Sequence, residues 1–129
     1  VRINPIPMLI DLIRDTPGLG PVLVSNDLMS HVIGDAAIIV QLEPGSRRVV
    51  RDRMDAFRFT LNHYGGSTKE ASDQAFLVRE YLLEQAPGSI IGNVAIDEVR
   101  EDDAPWDFDD RESREQRFVH RIIIYLYEV

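Results

Sequence analysis

The residues Arg117–Val129 constrain the fold more than any other part of the chain. Phe118, His120, Ile122, Ile124 and Leu126 alternate there with Val119, Arg121, Ile123, Tyr125 and Tyr127. A period of two is that of a strand, and the later part is apolar on both faces, as in a central strand or one covered by a neighbouring subunit. Such a strand needs companions. Ala36–Glu43 offers one, with the dense run Ile38, Ile39, Val40 and Leu42. About Met54–His63 offers another, Phe57, Phe59 and Leu61 pointing one way and Arg58, Thr60 and Asn62 the other. Ser89–Val99 reads as a third long strand, with Ile90, Val94 and Ile96 on one face and Gly92 as a bulge. Val22-Leu23-Val24 fits a short strand inside the ambiguous stretch 21–35, which carries the breakers Asn26-Asp27 and Gly34-Asp35.

Pro44-Gly45 suits the middle of a type II turn. It leads into Ser46–Arg53, which holds Arg47, Arg48, Arg51 and Arg53. Between two neighbouring strands this predicts an antiparallel hairpin with a long basic tip over residues 44–53.

Two segments have helical spacing. In residues 6–15, Ile6, Leu9, Ile10 and Ile13 form one stripe, with Pro5 and Pro7 at the start and Pro17-Gly18 after the end. The second helix opens with the capping box Ser67-Thr68-Lys69-Glu70. Ala71, Ala75, Val78 and Leu82 then make a narrow stripe, broadened by Leu77 and Tyr81, and the helix is expected to end near Gln85. Phe76 and Leu83 lie nearly opposite that stripe, so a loop or a neighbouring subunit has to cover them. The order is α-β-β-α-β-β. The expected fold class is α/β of the α+β kind: one domain over residues 1–129, a mixed or antiparallel sheet flanked by two helices. With 129 residues and 44% apolar composition, the chain buries roughly two-thirds of its unfolded surface, enough for one core.

Composition narrows the function classes. The absence of cysteine removes disulfide scaffolds and thiolate chemistry. No apolar run approaches the ~18 residues of a membrane span, and Val1-Arg2-Ile3-Asn4-Pro5 has no signal-peptide layout. Residues 1–64 hold seven Arg and seven acids, so the whole net charge of −8 comes from residues 65–129. That argues against a general nucleic-acid binder, which needs a cationic footprint. The P-loop, the dinucleotide fingerprint, the nucleophile elbow and H-E-x-x-H are all absent. His31, His63 and His120 sit in separate elements without metal-ligand spacing.

Residues 100–116 read as an aperiodic acidic loop. Residues 97–115 carry ten acids against Arg100, Arg111 and Arg114. Asp102, Asp103, Asp107, Asp109 and Asp110 offer oxygens for Ca²⁺ or Mg²⁺, but without the EF-hand spacing and with Pro105 and Trp106 interrupting. Acidic runs are usually solvated, so no metal or other cofactor is expected. Trp106 and Phe108, two aromatics among charges, either tuck onto the domain's own edge or anchor a partner. The basic tip and the acidic loop pair within one subunit or between subunits, the latter in a head-to-tail ring.

The layout resembles the tail terminator family of long-tailed bacteriophages. The resemblance rests on the first helix ending in Asp15-Thr16-Pro17-Gly18, the Ile38–Leu42 strand ending at Pro-Gly, the Phe57-x-Phe59 strand, the helix opened by Gly66-Ser67-Thr68-Lys69-Glu70-Ala71, and the closing strand after a polar loop. It covers nearly the whole chain as a pattern of elements. It implies a non-enzymatic virion protein, assembled in the host cytoplasm, forming a homo-hexameric ring at the head-proximal end of the tail. The ring would cap the tail tube, stop its polymerisation and receive a head-completion or connector protein, while DNA passes without specific binding. The alternatives are another head–tail connector or head-completion protein, a divalent-metal enzyme using Asp107, Asp109 and Asp110, and a protein-binding module unrelated to phages.

Overall fold

In the computed structural model, which describes residues 3–50, 54–110 and 114–129, the closing strand is central, as its two apolar faces require. The elements in chain order are helix α1 (Pro5–Arg14), strands β1 (Leu23–Ser25), β2 (Ala37–Leu42), β3 (Arg47–Val50) and β4 (Met54–Tyr64), helix α2 (Thr68–Glu80), and strands β5 (Ile90–Ile91), β6 (Val94–Asp107) and β7 (Arg117–Glu128). The sheet runs β1-β2-β4-β7-β6-β5, with β3 beside β4. The β1–β2 pair is parallel and every other pair antiparallel. The molecule is mixed α+β, as the periodicities predict, with two helices on a seven-stranded sheet where the expected order held four strands.

Both helices pack into one core on one sheet face. Leu9 and Ile13 of α1, Val78 and Leu82 of the second helical segment, and Ile38, Val40, Phe59, Leu61, Ile122, Ile124 and Leu126 of the sheet form a single buried cluster. A smaller cluster of Ala37, Ile39 and Tyr64, backed by Leu23, lies on the other face. Asn4 caps α1, its Oδ1 accepting the Ile6 N–H at 3.1 Å. Ser67 caps α2, its Oγ accepting the Glu70 N–H at 3.2 Å, while Glu70 Oε2 accepts from Gly66 N–H at 3.0 Å.

Four expectations need correction. First, residues 100–107 are strand, the second half of β6, and not loop. Register shifts at Ile96/Glu98, Glu101/Asp103 and Asp103/Trp106 move side chains from face to face, which erases the alternation that would announce a strand. Second, Ser89–Val99 is no single strand. Gly92, at φ +63°, turns the chain so that Ile91 pairs with Val94. Third, Pro44-Gly45 does not reverse the chain. Leu42 pairs with Phe59 and Arg47 with Ala56, so β2 and β3 follow the same side of β4 with a bulge between them. Glu43 N–H donates to the Arg58 carbonyl at 2.8 Å and Arg58 N–H to Ser46 Oγ at 2.9 Å, which holds the bulge. Residues 51–53 of the expected basic tip lie outside the described residues.

Fourth, α2 passes into a π-helical turn, Tyr81–Gln85, closed by Ala86 N–H donating to the Tyr81 carbonyl at 3.0 Å. The wider turn changes the phase of the helix. Leu83 therefore packs against the core; Leu77, expected in the buried stripe, precedes that turn and is exposed because it lies well off the Ala71–Ala75–Val78 line of the regular helix.

Candidate assembly surface

The 11 residues of β4 separate two unlike ends of the molecule by roughly 33 Å. At the Met54 end β3 and β4 form a basic arm. At the Tyr64 end lie the start of β2, the β6–β7 turn and the loop of residues 26–35. Register fixes this, since Met54 pairs with Tyr127 and Tyr64 with Arg117.

On the arm, Arg47 and Val49 are exposed. Arg48 Nε donates to Asp55 Oδ1 at 2.8 Å, and that guanidinium holds the Asp55 carboxyl below the usual carboxylate range. Arg51 and Arg53 lie outside the described residues.

The residues read as one acidic loop divide into two groups. Asp102 and Asp103 belong to β6 and are matched internally. Asp102 is ion-paired with Arg58, and Asp103 Oδ2 lies 3.6 Å from an Arg121 guanidinium nitrogen. That same guanidinium lies over the Trp106 ring, 5.5 Å from its centroid, so Trp106 is tucked onto its own sheet. Asp107, Phe108, Asp109 and Asp110 instead surround the β6–β7 turn. Asp110 accepts the Tyr64 hydroxyl at 3.0 Å. Partial desolvation and the neighbouring Asp109 raise the Asp107 carboxyl above its ordinary value. Phe108 is 48% exposed, held by Arg117, whose Nε donates to the Phe108 carbonyl at 2.9 Å and whose guanidinium lies 5.1 Å from the ring centroid. Among the described residues, no three His, Asp or Glu side chains are grouped to hold a metal ion. Phe76 is exposed on α2, with the Arg79 guanidinium 6.0 Å from its centroid.

Sequence reading missed the loop of residues 26–35. Asp27 Oδ1 accepts the Met29 N–H at 3.0 Å, and the His31 and Asp35 N–H groups donate to the Leu28 and Val32 carbonyls at 3.0 Å each. These successive turns present Leu28, Met29, Val32 and Ile33 to solvent, Met29 being 92% and Ile33 70% exposed. The loop is fastened rather than free. His31 Nε2 lies 2.6 Å from Glu115 Oε2 with both side chains buried, and the His31 ring tilts against Tyr64 at 5.2 Å. A groove of about 350 Å³ runs between Leu28 on this loop and Phe108 and Arg117 on the β6–β7 turn, over a floor of Ile39, Gln41, Asn62 and Tyr64. The available signal was the paired apolar residues 28–29 and 32–33 between turn-forming residues.

Beneath α2 the remaining histidines serve the interior. Gln74 Nε2 donates to the Ala37 carbonyl at 3.2 Å and lies 3.5 Å from His63 Nδ1. His120 Nε2 lies 3.0 Å from Glu101 Oε2, and Glu101 also receives two Arg79 bonds at 2.5 and 3.0 Å. Burial and the nearby His120 push the His63 pKa down to about 3, and burial lowers that of His120 despite the Glu101 contact. Arg79 holds the Glu101 carboxyl below its ordinary value. This is a network that fixes α2 to β4, β6 and β7.

The chain thus presents an exposed apolar loop and an acidic turn at one end, and a basic arm at the other. No helix among the described residues is long and apolar enough to cross a membrane. No protein-family model matches the chain, and no curated protein matches it either. Its fold is similar to that of a chain in a solved structure titled "Virion of native gene transfer agent (GTA) particle", with a TM-score of 0.70 and 8% sequence identity over 91% of this chain and 90% of that one.

Proposed function

We propose that this chain is a structural component of a virion, acting without catalysis as the ring that terminates a tail. One face of the ring caps the tail tube and stops its growth, and the other receives a head-completion or connector protein. The observation that supports a virion protein is the shared fold with a virion chain across nine-tenths of both molecules, and the terminator role rests on the resemblance in the order of elements. The two unlike ends agree with it. A head-to-tail contact joins different surfaces of identical subunits, and such contacts close into rings when the rotation allows. The net charge of −8 suits a conduit that DNA slides through, because acidic walls make no tight phosphate contacts.

Electron microscopy of particles made without this protein tests the proposal. Overlong or headless tails are the expected result. Filled heads that leak DNA beside tails of normal length would assign the chain to head completion instead, and unchanged particles would remove it from the virion.

A further inference from the structure

We propose that copies of this chain join by seating the β3–β4 arm of one copy in the groove of the next, with Val49 entering between Leu28 and Phe108 and Arg47 facing Asp107 and Asp109. The inference rests on the ring reading and names the contact that would build it.

Three observations select a second copy as the occupant. Two exposed apolar residues line the groove beside the polar Gln41, Asp110 and Arg117: Leu28 is 45% and Phe108 48% exposed, and the arm offers Val49 at 42%. Joining these surfaces removes apolar area from water on both partners. The charges are complementary. Arg47 is exposed on the arm, whereas the described residues of 26–35, 107–110 and 114–117 together hold six acids and two Arg, a net of −4. Desolvation and the neighbouring Asp109 raise the Asp107 carboxyl above its ordinary value, which a cation from outside counteracts. Finally, arm and groove lie at opposite ends of β4, so no single copy brings them together.

The contact is heterologous, each copy giving an arm and receiving one. Its charged rim favours the correct register and speeds encounter, while the apolar knob in its groove supplies the larger share of affinity.

The absence of native cysteine makes a direct test available. V49C and L28C variants of the full chain are purified, mixed and oxidised mildly, alone and with the tail tube protein of the same virion. The particle mass is measured in parallel. The expected product is a disulfide between residue 49 of one copy and residue 28 of another, and the V49C/L28C double variant should give a covalent ladder ending in a closed ring. Higher-order assembly without that crosslink overturns the arm-in-groove contact and leaves the ring reading standing. A particle that stays monomeric under both conditions overturns the ring reading together with the contact. As a second measurement, R47E and D109R should each reduce assembly about tenfold or more, and the R47E/D109R pair should recover part of the loss. Strict additivity of the two would mean that these side chains do not meet.

Discussion

His63 shows what a single residue adds to this fold. It lies on β4 with no exposure, beside Gln74 and near His120. The unfolded chain binds a proton there below about pH 6.5, whereas the folded chain resists until about 3. Stability is therefore complete above the ordinary histidine value and falls as the pH drops through that window. The slope is about 1.4 kcal/mol per pH unit for each histidine kept neutral. His120 adds to it in the same direction. Asp55 and Glu101, whose values are lowered by Arg48 and Arg79, contribute stability above the ordinary carboxylate range that is lost as the pH falls further. Urea denaturation between pH 8 and 5 should show the midpoint falling steadily below about pH 6.5, less steeply in H63Q. A midpoint unchanged down to pH 5 would mean that neither histidine is held neutral. Little of this was legible beforehand. Alternation put His120 in a strand, but its pairing with Glu101 depends on the irregular register of β6, and its nearness to His63 depends on β4 lying next to β7.

At the scale of elements, local chemistry was legible wherever it is self-contained. The Ser67–Glu70 capping box, the proline-started first helix and the alternating β4 and β7 follow from spacing alone. β6 did not, since three register shifts hide its period, and the arm did not, since Pro44-Gly45 commonly reverses a chain but here makes a bulge. Two tests belong at this scale. Gly65 joins β4 to α2 so closely that a Cβ would stand 2.7 Å from the Ala71 backbone nitrogen. G65A should therefore cost about 1–3 kcal/mol, as overpacking does, and a loss below about 0.5 kcal/mol by chemical denaturation would contradict the close approach. The π-helical turn makes a second claim. L83A, removing a side chain packed on the core, should cost at least about 1.5 kcal/mol. L77A, on the exposed side, should stay within about 0.5 kcal/mol. A cost for L83A as small as that for L77A would mean that the helix keeps its phase through Tyr81 and leaves Leu83 on the outer face.

For the whole molecule, the candidate surface was half legible. The basic tip, Phe108 and Asp109 stood out as exposed chemistry among polar neighbours. Asp102, Asp103 and Trp106 did not separate from them, because only the sheet shows that Arg58 and Arg121 already hold them. The loop of residues 26–35 passed as a connector, since its exposed apolar side chains become visible only once His31 and Glu115 fix its path. If that loop meets a neighbour, the M29S/I33S pair should change stability by less than about 0.5 kcal/mol while weakening assembly in sedimentation experiments. A large loss of stability would make the loop part of the core.

The proposed role places this molecule between copies of itself and a tail tube. The mass of the purified chain, measured alone and after mixing with its tube protein, tests this most directly. A discrete ring of several copies is expected, six if the family resemblance holds, seated on the end of the tube and halting its growth. A chain that remains single and leaves tube polymerisation unchanged would contradict it.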